Sequence, residues 1–343
     1  MQIGIDSFVE TVLGSGISPA ELGVQRVEQL LEEIELADRS GLDVFGIGEH
    51  HREEYIASSP AILLAAAAAR TQNIRLSSAV TVLSSDDPVR VFQDFATLDL
   101  ISKGRAEIIV GRGSFIESYP LFGYDTKHYD ELCAEKLELL MKLREETVVH
   151  WEGKHRASLT GQGVWPRPAQ KVLPIRLGVG GTPASFVRAG MLGLPLTVAI
   201  IGGEPHRFRP MIDLYREAGR RAGHAPESLD VAVHAIGFVA DTTEGAANDL
   251  WPAYSTTFTR IGRERGWPPA SRAAFDATRG ESGAFFIGDP ETVAKKIWHV
   301  SDALGGISRI SFMMSGGPLP HAKLLRAIEL IGIEVRPLIS KKS

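Results

Sequence analysis

Short apolar runs and longer segments with helical spacing take turns along this chain. Eight runs read as strands: Ile3 to Ile5, Asp43 to Gly48, Ile74 to Leu83, Ala106 to Val110, Ile175 to Val179, Leu196 to Ile201, Val231 to Val239 and Ile307 to Met314. Between the first two, Val24, Val27, Leu30, Leu31 and Ile34 recur on one helical face, and Gly41 ends the segment. Leu132, Leu139, Leu140 and Leu143 mark another helix, over about 130–145, and His321 to Ile331 is the closing one. Five helices open on a cap residue followed by proline: Ser18-Pro19, Ser59-Pro60, Asp87-Pro88, Thr182-Pro183 and Asp289-Pro290. Proline suits the first helical position, where its missing N–H costs nothing, and Glu21 completes a capping box with Ser18.

Strands alternating with helices mean a parallel sheet with crossovers. Eight such units favour closure into a single (β/α)8 TIM-type barrel, with an open doubly wound sheet as the alternative. One domain is expected over residues 1–343, although length alone would also permit two. Two insertions interrupt the rhythm, one near 149–174, rich in Gly, Pro and Trp, and one near 241–285, read as irregular and partly helical.

The second strand ends in Glu49-His50-His51. Side chains alternate across a strand, which places Val44, Gly46, Gly48 and His50 on one face and Phe45, Ile47, Glu49 and His51 on the other. The face carrying His50 is small, so something other than protein is expected to fill the space beside it. Barrels do their chemistry at the carboxyl ends of their strands. At the fifth strand end, Gly178, Gly180 and Gly181 let a ligand approach the backbone, and Thr182-Pro183 then starts a helix whose positive end attracts an anion. Arg112, at the neighbouring strand end, is placed to grip a phosphate through two parallel hydrogen bonds. The plainer reading is a tight turn and an Arg112 paired with a surface carboxylate. Ser315-Gly316-Gly317 is the rival phosphate site, without a nearby arginine.

No metal is expected. His50 and His51 face opposite ways, His50 and Glu54 make only a two-ligand set, and catalytic zinc takes three protein ligands. His234 lies mid-strand and reads as a satisfied core residue. A net charge of -5 with scattered signs offers no footprint for nucleic acid. Cys133 is the only cysteine, which excludes disulfides within the chain and cysteine zinc sites. Ala61 to Ala69 is too short to span a bilayer, and the N-terminus lacks a signal-peptide pattern, so the expectation is a soluble, cytoplasmic protein without membrane contact.

The segments Glu49-His50-His51, Ser78 to Leu83, Asp87-Pro88-Val89-Arg90, Leu98 to Arg105 and Val110-Gly111-Arg112-Gly113 together resemble the bacterial luciferase family of flavin-dependent monooxygenases. The match from Gly178 to Ser185 and from Gly288 to Val293 is looser. The resemblance implies a (β/α)8 barrel, often a homodimer, that binds reduced FMN at the carboxyl face. It implies a catalytic role for His50 and phosphate contacts from Arg112 and the turn Gly180-Gly181-Thr182. It also implies a cis peptide at Ala79-Val80, under the flavin ring. Gly111 stands where luciferase has a reactive cysteine, which argues against light emission. The implied activity is oxygenation of a small organic substrate by reduced FMN and O₂ through a C4a-hydroperoxyflavin. The reductant would come from a separate flavin reductase or NAD(P)H. Two alternatives stand beside it: an F420-dependent dehydrogenase on the same barrel, whose members commonly carry Asp-His at this strand end, and a flavin-binding protein without turnover.

Overall fold

The computed structural model describes residues 1–340 apart from 13, 15, 114 and 315–318. Its barrel strands are β1 (Gln2–Ser7), β2 (Val44–Ile47), β3 (Arg75–Ser78), β4 (Ala106–Gly111), β5 (Ile175–Val179), β6 (Leu196–Ala199), β7 (Val231–Val239) and β8 (Arg309–Met313). Each pairs in parallel with its sequence neighbours, and β8 pairs with β1 to close the ring. The apolar runs are continuous because both faces of these strands are covered; every residue of β7 is buried. The barrel is therefore closed, and the open-sheet alternative is set aside.

All five proline-opened helices form. Ser18 and Glu21 make the reciprocal capping box, and the Asp87 and Asp289 carboxylates accept backbone N–H groups of their own first turns. Ser59 and Thr182 occupy cap positions without a side-chain cap bond. Thr182 is otherwise engaged, as described below.

Three segments differ from the sequence expectation. The third run splits into β3 and a two-residue strand, Thr81–Val82, around a cis peptide at Ala79-Val80, and then enters a short 3₁₀ turn. The 149–174 insertion opens as an antiparallel hairpin, Val148–Trp151 with Leu159–Gly163, bulged between Val149 and His150. The 241–285 insertion is far more regular than its composition suggests. It holds a 23-residue helix, Thr243–Arg265, and a shorter one, Arg272–Arg279. Pro252 inside the longer helix obscured the pattern, yet Ala246, Leu250, Ala253 and Thr257 keep helical spacing and are buried. Phe286–Gly288 then pairs with the end of β7.

One end of the barrel is sealed by charge. Near the starts of β8 and β4, Arg309 donates to both oxygens of Glu107, at 2.5 and 3.1 Å, and its Nε donates to Gln2 at 2.9 Å. Burial works against the Glu107 carboxylate, but the guanidinium beside it holds its pKa below the usual range. The two cavities described below lie at the opposite, carboxyl end. Among the described residues no helix is long and apolar enough to cross a membrane.

Candidate functional site

Two cavities open at the carboxyl end, of about 270 Å³ and about 200 Å³. Phe8, His50 and Ile201 border both. The larger brings together Ala79, Val80, Arg112 and the turn Gly180-Gly181-Thr182 with His50, so the sequence candidates do converge on one space.

At one end of it, Arg112 lies 5.1 Å over the Tyr129 ring, donates to Asp130 at 2.5 Å and donates to the Thr182 hydroxyl at 3.1 Å. The plainer reading of Arg112 is thus also realised, since Asp130 is a largely exposed carboxylate. A side chain added at Gly180 or Gly181 would meet no atom within 4 Å. Protein packing does not require glycine there; the open space beside the backbone does suit a ligand. Gly111 and Gly178 are glycine for the opposite reason, because a Cβ at either would fall 2.6 or 2.9 Å from the Val80 side chain. Val80 projects into the barrel mouth from the cis bond that the family resemblance implied. The rival turn at Ser315-Gly316-Gly317 lies outside the described residues.

At the other end, His50 is 8% exposed and ringed by Phe8, Tyr55 and Phe115, with ring centroids 4.9, 4.5 and 4.7 Å away. Its Nδ1 is 3.3 Å from a Glu117 oxygen. Burial raises the Glu117 pKa, but the hydrogen bond from His50 leads the effects that bring it below the usual carboxylate range. Glu117 was not singled out in the sequence; it lies 67 residues from His50, in a stretch with no strand or helix signal.

The strand parity needs correcting. Regular β2 ends at Ile47, so alternation does not carry through to residues 49–51, and Glu49 borders the same cavity as His50. The small face is also filled by protein. A Cβ at Gly46 would sit 2.1 Å from the Asp6 carboxylate, and one at Gly48 would sit 2.1 Å from the Phe8 ring. Glu49 is engaged structurally: it accepts the Val82 N–H at 2.9 Å and faces His51 Nε2 at 2.8 Å, tying β2 to the chain beyond the cis bond. His234 is satisfied, with Nδ1 2.6 Å from Asp6, but the pair lines the cavity wall and is not inert core. A histidine inside the otherwise apolar β7, and an aspartate directly after the apolar run of β1, were the signal for that pair.

His51 supplies a testable consequence. The hydrogen bond to Glu49 raises its pKa, against the opposing effect of burial. A histidine whose pKa rises on folding stabilises the fold fully below its unfolded value, about 6.5, and that contribution fades as pH climbs through the raised value. The melting temperature gap between wild type and His51→Gln should therefore be wider at about pH 6 than at about pH 9. A gap that does not change with pH would mean that the charged form of His51 contributes nothing.

Among the described residues, one His and carboxylate group is compact enough to ligate a metal: His128, Glu131 and His155. It borders neither cavity, and Glu131 already pairs with Lys154 at 2.6 Å.

The family described as luciferase-like monooxygenase matches residues 3–305. The 4-hydroxyprotoasukamycin monooxygenase of Streptomyces nodosus subsp. asukaensis is 27% identical over 322 residues, covering 87% of this chain and 84% of that one. Among solved structures, monooxygenase RslO1 from Streptomyces bottropensis superposes with a TM-score of 0.85 at 26% identity, covering 98% and 99% of the two chains. Two more distant structures show the same fold. The oxygenating constituent of 3,6-diketocamphane monooxygenase from Pseudomonas putida, in complex with FMN, has a TM-score of 0.79 at 21% identity over 99% and 98%. An F420-dependent secondary alcohol dehydrogenase has a TM-score of 0.76 at 20% identity over 98% of each chain. With its closed barrel, its converging strand ends and a match over nearly its whole length, this chain belongs to the luciferase-like monooxygenase family.

Proposed function

We propose that this protein is an FMN-dependent monooxygenase that inserts one oxygen atom of O₂ into a small organic substrate. The observation that carries this reading is the position of His50 on the boundary of two unlike cavities. One has a cationic, glycine-lined end suited to a phosphate-bearing cofactor. The other is walled by aromatic and aliphatic side chains, as a site for an apolar substrate would be.

In this reading Arg112, the Thr182 hydroxyl and the backbone at Gly180 and Gly181 hold the FMN phosphate, assisted by the positive end of the helix Pro183–Met191. Ala79 and Val80, on the wall of that cavity, would support the isoalloxazine ring. Bound reduced FMN would supply the electrons that activate O₂. His50 holds the mobile proton. With Nδ1–H donated to Glu117, its Nε2 is left to give or take a proton. Phe8, Tyr55 and Phe115 pack around that imidazole and keep bulk water from it. FMN would arrive reduced by a separate reductase, or be reduced in place by NAD(P)H.

The test is isotopic. The chain, loaded with reduced FMN and exposed to ¹⁸O₂, should incorporate a single ¹⁸O atom into a hydrophobic cyclic ketone or phenol. Reduction of a ketone by F420H₂ without O₂ consumption would replace this reading with the dehydrogenase. Tight FMN binding with neither reaction would leave a flavin-binding protein.

A further inference from the structure

The second cavity is walled largely by the 241–285 insertion, to which the sequence assigned no role. Leu250, Ala253, Tyr254, Thr257, Phe258 and Ile261 of the Thr243–Arg265 helix face it, and Trp267 follows at the rim. Opposite this wall stand Phe8, Tyr55 and Phe115. A dry apolar cavity of about 150 Å³ admits benzene, so about 200 Å³ takes one ring with a small substituent. Facing aromatic side chains favour a flat occupant that can stack or meet them edge-on.

Charge narrows the choice further. The buried Glu10 carboxylate borders the cavity beside Tyr55 and accepts from the Thr257 hydroxyl at 3.4 Å. A hydroxyl can donate to its oxygens, whereas an anionic group would lose its hydration in a cavity walled mainly by apolar side chains. Arg265, which borders the cavity, and Arg52 nearby both stand against aromatic rings. Arg265 lies 4.8 Å from the Phe115 centroid and 5.2 Å from that of Trp267, and Arg52 lies 5.2 Å from Phe115. Arg52 is also bound by Glu264, at 2.5 and 2.7 Å, which joins the 243–265 helix to the end of β2.

We infer that this cavity is a substrate site for a neutral, single-ring compound bearing a hydroxyl group, whose O–H is received by Glu10 and whose ring is selected by the 243–265 helix. The assignment of that occupant as substrate rests on the oxygenase reading; the binding site itself does not.

Calorimetric titration of the full chain, with and without saturating FMN, tests it with four probes: 4-propylphenol, propylbenzene, 4-propylbenzoate and decanal. 4-Propylphenol should bind under both conditions and at least about tenfold more tightly than propylbenzene, the upper reach of a net hydrogen bond. The benzoate and the linear aldehyde should bind more weakly than the phenol. In Glu10→Gln the preference for phenol over propylbenzene should shrink to below about threefold with propylbenzene affinity unchanged. Ala253→Trp, which fills the space, should abolish binding of both ring compounds. Equal binding of phenol and propylbenzene, tighter binding of the benzoate or decanal, or competition between the phenol and FMN would each overturn the inference. Should Glu10→Gln be recovered unfolded, the wild-type ranking alone decides. Saturable phenol binding without ¹⁸O transfer would sink the oxygenase reading and leave the site standing. Oxygenation of a compound that fails to compete with the phenol would do the reverse.

Discussion

His50→Ala should lower turnover by roughly 10²–10⁴, the range for loss of a general acid or base, while FMN affinity stays within about tenfold. The expectation follows from where the imidazole sits. It borders both cavities, whereas Arg112 and the 180–182 turn border only the larger one, and its polar partner Glu117 belongs to the loop after β4. The comparison that matters is with His51→Ala, assayed on the same substrate. His51 packs edge-on against Phe122, and its Nε2 faces Glu49 at 2.8 Å. Removing it leaves the buried Glu49 with one fewer partner, which costs stability more than chemistry. If His51→Ala proves the more inactive variant at a temperature where both are folded, the catalytic assignment moves from His50.

Arg112→Ala should weaken FMN by about 10- to 100-fold, as expected for loss of a charge-assisted contact. Riboflavin, which has no phosphate, should change by less than about threefold, because a contact it never makes contributes nothing to its affinity. The contrast between ligands, read by fluorescence quenching, separates loss of a phosphate contact from general damage to the barrel mouth. Asp130 and Tyr129 already orient the guanidinium, so less side-chain freedom remains to be lost on binding. Equal losses for FMN and riboflavin would put the phosphate elsewhere, with Ser315 to Gly317 the next segment to test.

Much of the candidate site is legible in the sequence. His50, Arg112 and the Gly180-Gly181-Thr182 turn each follow a predicted strand, and barrel geometry delivers strand ends to one face. The face assignment around His50 was not legible, because alternation is a property of regular strand and β2 stops at Ile47. Nor did small residues mean a vacant site: Gly46 and Gly48 make room for Asp6 and Phe8, side chains delivered by the neighbouring β1 and its carboxyl end.

What the sequence determined by itself was most of what has a local period or a local cap: eight apolar runs, five proline-opened helices and the alternation that favours a ring. These features are written within a few residues of one another, where backbone geometry alone relates spacing to shape. Tertiary structure decided which distant groups meet. Asp6 joins His234 across 228 residues, Glu117 joins His50 across 67, and Thr257 reaches Glu10 across 247. Such meetings depend on barrel closure and on where a long helix, itself interrupted by Pro252, comes to rest over the barrel mouth. No spacing in the chain encodes them, because the contact is fixed by packing in three dimensions and not by periodicity along one.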